Sequence, residues 1–355
     1  MLFSSDNISA VAPEIFDAMQ AANEGAARPY GADETTKRLE DVVSEVFERR
    51  ARVFLVSTGT AANALALACL CQPWATVYCH SHAHIQEDEC GAPEFYSGGA
   101  KLTLLGGDHG LIAPEALAAA LGASIRGVHN VQRGALSLTQ ATEAGAAYDP
   151  DHVARLARMA HDAGIPVHMD GTRLANAIAR LGCTPAEATW KAGVDVLCLG
   201  ATKNGAMAAE AVILFDRADP WEFELRRKRG GHLWSKMRYM AAQMEASLTD
   251  GLWLRLAGQA NAMADRLAEG LRAIPGVEID HPLGANMMFP RFPRRGHRAL
   301  HDAGALYYLW PGDQSLDGPA EERLRCRLVC SWATTAQEVD GFLGVLRGAL
   351  NAEAA

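Results

Sequence analysis

The 355-residue chain reads as an α/β protein: a large domain with a mostly parallel central sheet sandwiched by helices, then a smaller C-terminal α/β domain. Two observations predict this. Through the first 250 residues, helix-period patterns alternate with short β-branched runs, the signature of α/β units around a parallel sheet. Beyond Asp250 the pattern changes to one long helical segment, three strand-like runs and a final helix. The expected division is an N-terminal segment with the large domain at 1–250 and the small domain at 251–355.

The elements follow in order. "ETTKRLEDVVSEVFERR" puts Leu39, Val42, Val43, Val46 and Phe47 on one helical face, so it is an amphipathic helix. "RVFLVS" reads as a strand, "TGTAANALALACLC" as a helix, and "ATVYCH" and "KLTLLG" as strands. "PEALAAALGA" is a helix, "GALSLTQ" a strand, "DPDHVARLARMAHDAG" a helix and "IPVHMD" a strand, followed by "TPAEATWKAG" and "VDVLCLG". "EAVILFD" closes this series. In the last hundred residues, "DGLWLRLAGQANAMADRLAEGLRAIPG" is helical, "NMMFPRFP", "ALYYLW" and "RLRCRLVCSW" are strand-like, and "TAQEVDGFLGVLRGAL" is the final helix.

Apolar residues make up 49% and charged residues 21%, with no low-complexity tract, so the chain is of ordinary globular composition and long enough to bury a sizeable core. A net charge of −9 argues against nucleic acid as a partner. Nowhere do about 18 uncharged apolar residues run together, which argues against a membrane span. The start has no leader pattern, and the eight cysteines sit mostly in apolar runs with no C-x-x-C pair. The expectation is a cytoplasmic protein with reduced thiols.

Three segments carry chemistry. In "FLVSTGTAAN" a strand runs into a helix at Ser57, Thr58, Gly59 and Thr60, which gathers free N–H groups, hydroxyls and a positive dipole end into a phosphate seat. Ordinary capping by Ser or Thr is the other reading. In "IPVHMDGTRLANA", Asp170 ends a buried strand and should face a cation or a protonated ring, or else cap the next helix. One helix plus one strand later, Lys203 follows "VDVLCLG", so adjacent parallel strands would bring it to the rim where Asp170 lies. A lysine in a mostly apolar pocket is desolvated, which favours its neutral, nucleophilic amine; a loop lysine reaching to solvent is the alternative. A phosphate seat, an aspartate and a lysine, each after its own strand, are what pyridoxal phosphate needs: a helix start for the phosphate, a carboxylate for the ring nitrogen, and an amine for the aldehyde. A competing reading takes His80, His82, His84, Asp88, Glu89 and Cys90 as ligands of a metal-dependent hydrolase. In the cofactor reading, with no metal, a histidine of this segment stacks on the ring and acts as acid or base.

Taken together, "YGADETTKRLE", "STGTAAN", "HAHIQEDECGAPEF", "HMDGTRLANA", "TWKAGVDVLCLGATKNG" and "CRLVCSW" resemble, in order, the low-specificity L-threonine aldolase family, including its phenylserine aldolase-like members. This is a branch of the β-eliminating lyase group with the aspartate-aminotransferase-like fold, type I among pyridoxal-phosphate folds. The resemblance covers nearly the whole chain. It implies retro-aldol cleavage of β-hydroxy-α-amino acids to glycine and an aldehyde, with β-elimination or transamination as the alternatives on the same scaffold. It makes Lys203 the Schiff-base lysine, Asp170 the partner of the pyridine nitrogen and His84 the histidine stacked on the ring. It places Thr58, Gly59 and Thr60 on the phosphate turn. Ser5, Arg173 and Arg327 match the group that holds the substrate carboxylate, with Arg173 also near the cofactor. Arg229 and Lys236 fall in a segment that approaches the phosphate of a neighbouring subunit, in a homodimer or homotetramer with the active site near the interface. Tyr30, Trp234 and Tyr308 are candidates for the side-chain pocket, or for core packing. One departure stands out: where many members carry Glu-Asn-Thr-His, this chain reads "TQATEAG". Glu143 or Gln140 stands near the place of that histidine, and a water held by His84 is the first candidate for taking the substrate's hydroxyl proton.

Overall fold

The computed structural model describes residues 1–351. Seven strands form the central sheet: β1 (Arg52–Val56), β2 (Ala75–His80), β3 (Lys101–Leu105), β4 (Gln132–Thr139), β5 (Val167–Gly171), β6 (Val196–Gly200) and β7 (Glu210–Leu214). Their order across the sheet is β1-β7-β6-β5-β4-β2-β3. β3, β2, β4, β5 and β6 are all parallel, whereas β7 runs antiparallel to both its neighbours, β6 and β1. Loop length explains the reversal. Residues 201–209 are all that separate β6 from β7, too few for the dozen or so residues that a parallel crossover needs. Two reversals make β1 parallel to β6 again, so the carboxyl ends of β1, β2, β4, β5 and β6 all open onto one rim. Every residue of β5, β6 and β7 is buried, which fits their unbroken apolar runs.

The helices are α1 (Pro13–Ala21), α2 (Glu34–Val46), α3 (Gly59–Leu70), α4 (His84–Glu87), α5 (Ala92–Ser97), α6 (Pro114–Gly122), α7 (Pro150–Asp162), α8 (Leu174–Leu181), α9 (Pro220–Arg229), α10 (Arg238–Leu248), α11 (Leu252–Arg272), α12 (Arg294–Asp302) and α13 (Ala336–Asn351). In α2 the Asp33 side chain caps the first turn by accepting from the Thr36 amide at 2.9 Å, and Leu39 and Val43 face the core. α3 is buried continuously from Ala61 to Ala68, as a helix apolar on all sides must be. Between β5 and β6 the helix is α8, drawn from "LANAIARL", while "TPAEATWKAG" forms turns with a short 3₁₀ turn at Trp190–Ala192. Gly182, at φ 68°, ends α8 before that segment begins.

The smaller sheet is antiparallel, in the order β11 (Tyr308–Leu309), β12 (Arg323–Val329), β10 (Pro290–Pro293) and β8 (Glu278–Ile279), with β9 (Met287–Met288) also on β12. Its core gathers Leu267, Phe292, Leu328, Phe342 and, from the other end of the chain, Phe3. Phe3 is tied to this sheet through both its backbone groups, donating to Leu306 O at 2.8 Å and accepting from Val329 N at 2.9 Å. α11 serves both cores: Leu252, Trp253 and Ala257 pack in the large one, Ala264, Leu267 and Leu271 in the small one. Among the described residues, no helix is long and apolar enough to cross a membrane.

Candidate active site

The short connection that forces the β6–β7 reversal also carries Lys203, on a 3₁₀ turn at Thr202–Asn204. The turn is held at both ends. A Cβ on Gly200 would lie 2.8 Å from Thr172 Cα, so this approach of backbone to backbone admits only glycine. Asn204 donates from its side chain to Trp253 O at 2.8 Å, which docks the turn on α11. Lys203 is half-buried, and within the described residues its ammonium makes no hydrogen bond or ion pair. It lies close enough to Asp6 and Glu210 to favour their ionised forms. For Glu210 burial still dominates and pushes the carboxyl up to about 7.

Asp170 stands on the same rim, on the strand that pairs in parallel with β6. It is 2% exposed, yet both its oxygens are engaged. Oδ1 accepts from the Thr172 amide at 3.0 Å and the Thr172 hydroxyl at 2.8 Å, and Oδ2 from Asn63 Nδ2 at 2.9 Å. The same Asn63 amide nitrogen donates to Glu89 Oε1 at 2.8 Å, so one side chain from α3 bridges two buried carboxylates. Glu89 Oε1 in turn lies 2.8 Å from His84 Nδ1. Burial works against the charge of Asp170, but His84 and the hydrogen bonds from Thr172 and Asn63 prevail and hold its carboxyl below the usual range. Glu89 goes the other way, with burial lifting its carboxyl. Burial likewise opposes a charge on His84, and is outweighed by the Glu89 bond and by the charges of Asp170 and Glu143, so its pKa is raised.

At the end of β1, Thr58 caps α3 by accepting from the Ala61 amide at 3.1 Å. Thr58 is thus the cap, and the N–H groups of Gly59 and Thr60, in the first turn, have no acceptor within the helix. Beside them Ser57 Oγ lies 3.1 Å from His232 Nδ1.

Arg173 enters from the start of α8 as a buried fork. Its Nε and Nη2 donate to the two Asp6 oxygens at 2.8 and 3.1 Å, and Asn286 donates to Asp6 as well, at 3.1 Å. Arg327, on β12 of the small sheet, lies 4.9 Å over the Trp310 ring and donates to Ser4 O at 3.3 Å, while its Nε is buried without a partner. Burial and the neighbouring Arg173 charge both press its pKa down. Two guanidiniums so close make a place for an anion. Ser5, next to Ser4, is half-buried and accepts from the Asn7 amide at 3.1 Å.

Lys203, Asp170, His84, Thr58, Gly59, Thr60, Arg173, Arg327 and Ser5 thus arrive from strand ends on one rim, the N-terminal segment and the small sheet. Tyr30 and Arg229 do not join them: both are exposed, and Tyr30 carries Lys228 over its ring at 4.9 Å. Nor does the His80–Cys90 segment converge as a ligand set. His80 accepts from His82 N and faces Gly107 O, His82 faces Glu87, and Cys90 is exposed. Among the described residues, the group with mutually close donor atoms is His84, Glu89 and Asp170, within 4.8 Å of one another. There the Asn63 amide bridges one oxygen of each carboxylate, and Glu89 Oε2 is left buried without a partner. Gln140 is engaged as well, exchanging hydrogen bonds at 2.8 and 3.0 Å with the Tyr148 backbone. Sequence reasoning missed Asn63, Thr172 and Asp6. The one signal for Asn63 was a lone amide in the apolar run "AANALALACL".

These residues fit pyridoxal phosphate: unsatisfied amides at a helix start for a phosphate, a buried carboxylate kept ionised for a ring N–H, and an unpaired lysine between them. Fold and donor set together define a pyridoxal-phosphate-dependent lyase. The family model for β-eliminating lyases matches residues 3–291. A low specificity L-threonine aldolase of a Pseudomonas species is 40% identical over 350 residues, 99% of this chain and 98% of the relative. One of Pseudomonas aeruginosa is 41% identical over 337 residues, 95% of this chain and 94% of the relative. The chain belongs to the β-eliminating lyase family, in its low-specificity L-threonine aldolase branch. Among solved structures, a threonine aldolase of Leishmania major superposes with a TM-score of 0.89 at 26% identity, covering 98% of both chains. A serine palmitoyltransferase of Sphingomonas wittichii, at 16% identity, 99% coverage of this chain and 87% of its own, and a TM-score of 0.72, shares the fold.

Proposed function

We propose that the chain cleaves β-hydroxy-α-amino acids of the threonine, allo-threonine and phenylserine type to glycine and an aldehyde. The observation that carries this is the pairing of β5 and β6, which sets an ionised, fully hydrogen-bonded Asp170 and an unpartnered Lys203 on one rim. Pyridoxal phosphate, when bound, supplies the electron sink for bond cleavage at Cα. Lys203 is its covalent anchor, Asp170 keeps the ring nitrogen protonated, and Gly59 and Thr60, with Thr58 holding the turn, seat the phosphate. His84, held by Glu89, would lie against this group. Arg327, with the free edge of Arg173 and with Ser5, clamps the substrate carboxylate. That clamp would fix the orientation of the Cα–Cβ bond to be cleaved.

Purified protein given threonine, allo-threonine, phenylserine and serine in both enantiomers should release glycine and the matching aldehyde from the L β-hydroxy acids. Pyruvate from serine in place of glycine would point to β-elimination, and pyruvate from alanine to transamination. Lys203→Ala should leave no cofactor fixed to the chain after borohydride reduction and lower turnover by at least about a thousandfold; cleavage at the wild-type rate would refute the assignment.

The same reading takes the assembly as a homodimer or homotetramer with the site near an interface. It is supported by exposed Phe95 and Leu225, which line one hollow with Arg229. Arg229 and Lys236, both exposed, would then reach the neighbouring subunit's phosphate. Eight free thiols accord with a cytoplasmic location.

A further inference from the structure

We propose that Glu143 takes the proton from the substrate's β-hydroxyl. The inference rests on the aldolase reading above and adds the group that reading lacks, a base on the aldehyde side of the breaking bond.

Position is the first argument. Glu143 follows β4 on the catalytic rim, and its charge acts on His84, Arg173 and Arg327 alike. It therefore stands among the groups that face the ring and the groups that face the carboxylate. On its other side it lines a cavity of about 440 Å³ together with His80, His109, His281 and Trp310, the last being the ring beneath Arg327. A substrate held by its carboxylate at the arginines would carry its β-carbon past Glu143, with the substituent entering that cavity.

Availability is the second argument. Glu143 is half-buried and, within the described residues, makes no hydrogen bond or ion pair. Of the other acceptors nearby, Asp170 is engaged by Thr172 and Asn63, Asp6 by Arg173 and Asn286, and Gln140 by Tyr148; Glu89 is held through Oε1 by His84 and Asn63, its Oε2 being buried without a partner, and Asp88, which also acts on Arg327, is exposed. His84 is poorly suited, because the carboxylates around it favour its protonated form and Glu89 already occupies Nδ1. An imidazolium can donate to the hydroxyl oxygen but cannot take its proton.

The step balances as follows. The hydroxyl proton passes to the Glu143 carboxylate, and the O–H electron pair becomes the second bond of the aldehyde C=O. The Cα–Cβ bond breaks and its electron pair stays with Cα, for which pyridoxal phosphate, when bound, would supply the sink. The aldehyde leaves through the cavity, Cα takes a proton to give glycine, and Glu143 returns its proton to solvent.

The test separates this step from the rest of the chemistry. Exchange of the glycine Cα proton with deuterated solvent, followed by NMR, uses the same cofactor, clamp and lysine but no β-hydroxyl. Glu143→Gln holoenzyme should lose about a hundredfold in retro-aldol cleavage of phenylserine, while glycine exchange and glycine affinity stay within about threefold. Glu143→Asp should recover part of the loss, and formate should restore activity to Glu143→Ala. Cleavage by Glu143→Gln within about threefold of wild type overturns the proposal, as does an equal fall in exchange and cleavage, which would mark a group that only orders the arginines. Wild-type protein that yields no aldehyde at all overturns the aldolase reading and this inference with it, and is distinguishable because no variant is needed to see it.

Discussion

Replacing Asp6 by Asn removes one charge while keeping the shape of the side chain, at a point where the charge is held from three sides. Arg173 binds both oxygens at 2.8 and 3.1 Å, Asn286 donates to Oδ2, and Lys203 adds its field; the carboxyl stays below the usual range although burial opposes it. The Asp6 and Arg173 side chains are 1% and 7% exposed, so water cannot take over. Removing one partner from a buried pair strands the other, at about 3–5 kcal/mol. An asparagine can still accept one of the two hydrogen bonds, which puts the expectation near the lower figure. With an unfolding entropy of roughly 2.1 cal/mol/K per residue, about 3 kcal/mol lowers Tm by roughly 4 °C in a chain of this length. Calorimetry on Asp6→Asn, Arg173→Gln and the double variant is the assay. Each single change should cost more than the second change added to it, with a coupling of about 2 kcal/mol. Because Asp6 fixes the fork that presents the free edge of Arg173, the KM for the amino acid should rise in the same variant. Additive effects within about 0.5 kcal/mol, or an unchanged Tm, would refute the claim that the pair acts as a unit.

Arg327→Ala should raise KM and lower kcat/KM for the amino acid while the cofactor stays bound; loss of the cofactor would mean that the guanidinium serves the phosphate instead. A pH effect follows from two buried histidines. Burial depresses His168, between Ser137 and Cys198, and His297, stacked on Phe292, to about 4 in each case. The unfolded chain takes up these protons near pH 6.5 and the folded chain only near 4, so their contribution to stability is intact above pH 6.5 and is lost as pH falls toward 4, by up to roughly 3 kcal/mol for each histidine. His297→Gln should flatten the fall in Tm over that window; an unchanged slope would show that His297 does not titrate there.

The shared rim of Asp170 and Lys203 was legible because parallel neighbours preserve sequence order: one helix and one strand separate the two residues, and β5 and β6 pair side by side. The turn from β1 into α3 was legible because strand, small polar residues and helix adjoin in the chain. The Asn63 bridge was not, since it joins residues 26 and 107 positions away through side-chain direction, on which periodicity is silent. Nor was the Asp6–Arg173 fork, whose partners are 167 residues apart. The helix between β5 and β6 comes from "LANAIARL", and Gly182 closes it before "TPAEATWKAG" begins. Tyr30 was drawn from aromatic character alone, which marks a ring without saying which face it lies on.

The stems of the turn that carries Lys203, β6 and β7, are both interior strands, each hydrogen-bonded on its two sides. For anyone wishing to retune the enzyme, this divides the site into a part to leave alone and a part to diversify. A bulky substitution at buried Ala201, Gly205 or Ala206 would have to displace packed neighbours, so combinatorial libraries placed at those positions should return mostly misfolded protein. The wall opposite is built from loops, with Glu143, His109, His281 and Trp310 set on separate connections. On the proposed reading, variation there would change which aldehydes are accepted while Lys203 stays where the sheet puts it.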